Sequence, residues 1–148
     1  MLFWTTLLSQ SVISFGATVG FAVLYNAPRR ALIYCGAIGV GGHLLRLSLQ
    51  QFGMADGGAT FVAASFVGLV GAYPARRLQL PMILFAITGI LPMIPGIPAY
   101  KVLVYFSDRD LLNGMRSGVE ALFRVGAIAI GIGTARLLTD AEWWFERN

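Results

Sequence analysis

The sequence predicts an all-α fold: a polytopic integral membrane helical bundle of about five transmembrane helices, the fourth broken at a proline-rich segment. Three observations carry this expectation. Of the 148 residues, 57% are hydrophobic and only 12% charged, too few charges to cover a soluble globule of this size. Five segments, 3–24, 31–52, 59–77, 81–106 and 118–138, approach the roughly 20 mainly apolar residues that a spanning helix needs. Within the fourth, prolines at 92, 95 and 98 interrupt the helical pattern. The segments fill nearly the whole chain, so a single transmembrane domain over 1–148 is expected, with no soluble domain, linker or low-complexity tract.

The first segment lacks a charged amino-terminal flank, and its apolar run exceeds the roughly 7 to 15 residues of a signal peptide, so it reads as a retained helix. Ser9, Gly16 and Gly20 lie on one of its faces. Small faces recur as Ala64, Gly68, Gly71 and Ala75 in the third segment and as Ala127, Gly131 and Ala135 in the fifth. They let backbones approach closely where no hydrophobic force acts between helices. They are too many for five helices to satisfy only one another, which points to a homo-oligomer or a membrane partner.

In the second segment Gly36, Gly39, His43, Arg46 and Gln50 form one stripe at alternating spacings of three and four, and a polar stripe should avoid lipid. His43 is a candidate site residue, weighed against the plainer role of glue between helices. Arg46, about two turns from the end of the segment, is within snorkelling reach of the interface. Cys35 is the only cysteine, so no intrachain disulfide forms, and its apolar setting suits a small buried side chain. No second histidine, cysteine pair or carboxylate stands at ligand spacing, so neither a metal nor another cofactor is expected.

The formal charge of +4 does not indicate nucleic acid, because Arg29, Arg30, Arg76 and Arg77 sit as two doublets at the ends of apolar segments. Basic residues there are retained in the cytoplasm and orient the protein. The doublets are separated by a two-helix hairpin and face the same side, which puts the amino terminus outside and, with five crossings, the carboxyl terminus inside. Trp143 and Trp144 beyond the last segment fit an interfacial aromatic anchor.

The fourth segment breaks because proline removes an amide donor and clashes with the preceding turn. Irregular backbone at membrane depth survives only where it is buried in protein or lines a watery cavity, and transporters place discontinuous helices at their substrate sites. Pro92, Pro95 and Gly96, with Tyr100 and Lys101 just after, therefore become candidate substrate-binding residues between two half-helices. A proline kink in one helix and a re-entrant hairpin are the alternatives, the hairpin placing Arg109 and Arg116 inside. In the fifth segment Glu120 and Arg124 stand four apart, the spacing of an intrahelical ion pair. Ionisable residues at membrane depth are costly and mark functional sites, so both join the candidates. An ion pair neutralising itself near the outer interface is the plainer reading.

The stretches "YNAPRRALIYCGAIG", "GLVGAYPARRLQLPMILFAITGILPMIPGIPAYK" and "GVEALFRVGAIAIGIG" resemble the threonine/serine exporter family, specifically its short membrane half, from about Gly20 to Leu138. Asn26, Pro28, Arg29 and Arg30, then Pro92, Pro95, Gly96, Tyr100 and Lys101, are the matching positions. The resemblance implies a ten-helix transporter of the bacterial inner membrane, made as one chain or as two. In the two-protein form a larger membrane subunit supplies the other five helices. It also implies export of threonine and serine, or of dicarboxylates such as succinate.

The expected function is thus a multi-pass transport subunit, not an enzyme. His43, Lys101 and Arg124 give its interior a basic potential suited to a small carboxylate or amino acid, and the start of the second half-helix offers backbone amides. The rival is a structural subunit that stabilises a larger transporting partner without a site of its own. An intramembrane enzyme would want a nucleophile with a base or a carboxylate pair facing a cavity, and no such pairing is apparent.

Overall fold

The computed structural model describes the backbone of residues 2–146 and the side chains of residues 8–139. The described chain is built of helices: α1 (Leu2–Leu24), α2 (Arg29–Gln51), α3 (Asp56–Leu78), α4 (Met82–Ile90), a 3₁₀ turn (Leu91–Met93), α5 (Gly96–Ser107) and α6 (Leu111–Glu146). Helices α2, α3 and α6 are long and apolar enough to cross a membrane, and α4 with its 3₁₀ turn and α5 form a further apolar pair bent by 51°. The described part of α1, Leu8–Leu24, is apolar but shorter. The protein is therefore a multi-pass helical membrane bundle. The aromatic anchor expected at Trp143 and Trp144 falls outside the described side chains.

Several hydroxyl groups within these helices are satisfied by a carbonyl of the preceding turn, as suits a helix in lipid. Thr18 donates to the Ser14 carbonyl at 2.7 Å, Thr88 to Leu84 at 2.8 Å and Thr139 to Ala135 at 2.7 Å. Four helix ends share one solution for their orphan carbonyls. Asn26 (φ 56°), Gly53 (φ 85°), Gln79 (φ 54°) and Arg109 (φ 61°) swing into the left-handed region. The next amide then reaches back five residues: Ala27 to Ala22 at 2.9 Å, Met54 to Leu49 at 3.1 Å, Leu80 to Ala75 at 3.0 Å and Asp110 to Tyr105 at 2.8 Å. This is the Schellman closure. It gives the Asn-Ala-Pro motif a structural cause: asparagine tolerates the left-handed turn, and Pro28 (φ −63°) pre-sets the entry into α2. Gln79-Leu80-Pro81 repeats the device. Asn26, Pro28, Leu80 and Pro81 line one apolar recess, so both proline turns, with the arginine doublets beside them, lie at the same end of the bundle.

Helix α3 is the centre of packing, touching α2, α4 and α6. Small residues set the close approaches: a Cβ at Gly68 would stand 2.5 Å from Ala135 Cβ, and one at Gly131 would stand 2.8 Å from the Phe61 carbonyl oxygen. On the other side Phe15 and Thr18 of α1 fill the space above Gly36 and Gly39 of α2. Val67, Phe85 and Met93 are fully buried where α2, α3 and α4 meet. Gly16, Gly20, Gly126 and Gly133, by contrast, face open space. Helix α6 has 36 residues, about 54 Å at 1.5 Å per residue, well beyond the roughly 30 Å hydrocarbon core. Its central part packs on α3 and its first turns pack on α5.

Candidate functional site

The proline break is where expected along the chain. Pro92 lies in the 3₁₀ turn, Pro95 is the residue before α5, and Gly96 opens that helix. The Gly96 amide already donates to the Ile94 carbonyl at 2.8 Å, and the Ala99 amide to Pro95 at 3.1 Å. Pro98, in the same first turn, has no amide to give. The start of α5 is thus poor in free donors, and the positive character of this region comes from side chains.

Those side chains converge on a cavity of about 390 Å³ between α5 and α6. Ile97, Pro98, Lys101 and Tyr105 line it from α5, and Asn113, Arg116, Ser117, Glu120 and Arg124 from α6. The antiparallel hairpin creates it. Asp110 caps α6, accepting from the Asn113 amide at 3.2 Å and its side-chain nitrogen at 2.6 Å, the usual way an aspartate satisfies an orphan donor. The cap starts α6 just after the turn, and Lys101 of α5 shares the cavity lining with Glu120 and Arg116 of α6.

At its inner edge the cavity meets a charge junction organised by Asp56, the first residue of α3. Arg46 Nη2 of α2 reaches Asp56 Oδ1 at 2.5 Å, and its Nε donates to Thr60 Oγ1 at 3.0 Å. Gln50 donates to the same carboxylate oxygen. Arg124 of α6 reaches Asp56 Oδ2 at 2.6 Å through both Nε and Nη2, and its Nη2 also pairs with Glu120 Oε1 at 3.0 Å. One carboxylate therefore joins three helices. Arg46 does not snorkel: it is 7% exposed, because a half-buried carboxylate lies just across the α2–α3 turn. The position of Asp56 at the start of α3 also favours its negative charge, since the helix dipole is positive there.

Two arginines against two carboxylates leave this junction neutral. Lys101 and Arg116 are then the cations in excess around the cavity. Of the residues singled out from sequence, Lys101, Glu120 and Arg124 come together at the cavity, and Pro92, Pro95 and Gly96 form the break that leads into it. Tyr100 is exposed and lies outside the cavity lining. His43 is elsewhere, buried between α2 and α1 with Nε2 3.4 Å from Gln10 Oε1. Sequence reasoning missed Asp56, Arg116 and Asn113. A signal for Asp56 existed: it is the first acid after the polar stripe that bears Arg46.

Compared with known proteins, residues 10–138 match the family model described as "Threonine/Serine exporter, ThrE". An uncharacterized protein of Haemophilus influenzae is 34% identical over 128 residues, 81% of this chain and 43% of that protein. The chain spans less than half the length of this curated relative. No solved structure matches.

Proposed function

The chain belongs to the threonine/serine exporter family, and from that premise we propose that it is a subunit of an exporter that carries a small carboxylate outward through the α5–α6 cavity. The observation that carries this reading is the cation excess of Lys101 and Arg116 beside a proline-broken helix. Two substrate chemistries fit it. A dicarboxylate would span the two cations. Threonine or serine would set its carboxylate on Lys101 or Arg116 and its ammonium on Glu120, which is already half released to solvent. The cavity size, at the low end of the roughly 300 to 1,000 Å³ of ligand pockets, suits a metabolite of either kind.

Being part of a transporter family argues against catalysis, and no group in the cavity is arranged as nucleophile and base. The proposed setting is the bacterial inner membrane. The proposed partner is a larger membrane subunit of the same family, corresponding to the part of the Haemophilus relative that the match leaves uncovered. The second reading, a purely structural subunit, draws on the open faces at Gly16, Gly20, Gly126 and Gly133, which would seat a partner's helices.

Substrate efflux from loaded vesicles holding the subunit and its partner separates the two. Losing a charge-assisted bond worth roughly 1.5 to 3 kcal/mol, Lys101→Gln should weaken apparent substrate binding about ten- to a hundredfold. Copurification should stay unchanged. Lys101→Arg should rescue only in part, because a guanidinium is larger and differently shaped than an ammonium. Normal efflux from the glutamine variant removes Lys101 from the site, and lost copurification makes it structural.

A further inference from the structure

Helix α6 buries one side, where Gly131 and Ala135 pack on α3, and leaves the other side unpartnered among the described residues. On that open side two rows of residues recur at every seventh position. Arg116, Phe123, Ile130 and Leu137 form one row, and Leu112, Val119, Gly126 and Gly133 form the other, interleaved at spacings of four and three. Phe123, Ile130 and Leu137 are 72%, 61% and 73% exposed. A Cβ at Gly126 or Gly133 would meet nothing within 4 Å among the described residues. From Leu112 to Leu137 the rows cover about 38 Å of rise. An apolar repeat of 3.5 residues kept over this length is the seam of a helix pair, with large knobs in one row and room at the glycines for a neighbour's knobs.

We infer that this seam is the docking surface for a spanning helix of a different membrane chain, packed lengthwise on α6. Lipid does not account for it: glycine weakens a helix interior, and fluid acyl chains would leave Gly126 and Gly133 without the close backbone contact that offsets this. A second copy does not fit either. Copies inserted in one membrane share an orientation, so their seams would meet in parallel about a twofold axis and set Arg116 against Arg116. Like charges so placed disfavour the pair, and Arg116 is the only charge in the seam. A helix of another chain avoids the clash when it carries no cation at this level, and a lone polar residue in an apolar seam then fixes its register. The Haemophilus relative shows where such a helix would come from, since the match covers 43% of it and leaves the rest outside. Arg116 also lines the α5–α6 cavity, so the docked helix would cover that cavity's open side. The inference rests on the exporter-subunit reading for the identity of the partner alone.

The test is copurification with a tagged larger subunit of the same family, co-expressed with this chain. Gly126→Leu should lower recovery of the larger subunit about tenfold by overfilling the contact. Val125→Phe adds as many carbons at a neighbouring exposed position off the seam and should leave recovery unchanged. A protected Cys35 thiol verifies that the variants fold. Phe123→Ala strains nothing, because it only trims an exposed ring, and should lower recovery as well. Undiminished recovery from Gly126→Leu and Phe123→Ala overturns the inference, and so does an equal loss from Val125→Phe. In a Cys35→Ala background, Phe123→Cys oxidised in the membrane should form no disulfide-linked pair. A linked pair would put a second copy in the seam and overturn the inference too. The readout is assembly and not efflux, so failure here leaves the Lys101 test standing, and normal efflux from Lys101→Gln leaves the seam standing.

Discussion

Asp56→Asn tests the charge junction most directly, because it keeps the side chain's shape and removes only its charge. The carboxylate takes Arg46 at 2.5 Å and Arg124 at 2.6 Å, and its side chain is 28% exposed. Removing one partner of a fully buried pair costs roughly 3 to 5 kcal/mol, and partial exposure brings the expectation down to about 2 to 3 kcal/mol. For a chain of this size each kcal/mol moves the midpoint by about 2 to 4 °C, so a loss of about 4 to 12 °C is expected. The probe is built in. Cys35 is the only cysteine and is fully buried, so its rate of thiol labelling in mild detergent reports unfolding on heating. Glu120→Gln provides the contrast. It breaks one exposed i,i+4 pair worth about 0.3 to 0.5 kcal/mol and should shift the midpoint by no more than about 2 °C. Combined with Arg46→Gln, Asp56→Asn should be strongly non-additive, since both remove the same contact. A midpoint for Asp56→Asn within about 2 °C of wild type, or equal losses from Asp56→Asn and Glu120→Gln, would refute the junction as a structural hub.

Two further predictions concern topology and packing. In a Cys35→Ala background, cysteines at the exposed positions Gln79 and Asn113 should label from opposite faces of the membrane; labelling from one face would turn the α4–α5 pair into a re-entrant hairpin. Gly131→Val places carbon within 2.8 Å of the Phe61 carbonyl and should destabilise the isolated subunit by roughly 1 to 3 kcal/mol through overpacking. Gly20→Val meets open space, so it should leave the midpoint alone and lower only copurification with a partner or a second copy. A loss of stability from Gly20→Val would show that the face is already occupied.

The break in the fourth segment was legible because its cause is local: a proline lacks its amide wherever the rest of the chain goes. The Glu120–Arg124 pair was legible for the same reason, being one helical turn long. Asp56 was not, since its partners lie 10 and 68 positions away and the apolar pattern of the third segment starts only at Ala59. An acid at the edge of a segment looks like a solvated turn until two helices bring arginines to it. Arg116 was hidden differently. It stands before the apolar run of the fifth segment, and only the length of α6 and its hairpin with α5 carry it to Lys101. The resemblance supplied the family and pointed to Asn26 and Pro28, yet the structure gives these two the work of closing a helix and opening the next.

Because α6 runs from Leu111 to Glu146 without a proline, it behaves as one lever, with Arg124 as its fulcrum on Asp56. Lys101 and Arg116 load the short arm. The long arm ends near Thr139, fifteen residues and about 22 Å beyond the fulcrum, where Arg76 grips its carbonyl. Between those two points Gly131 and Ala135 hold α6 close against α3, so a tilt at the cavity would have to carry α3 with it to reach the opposite end of the bundle.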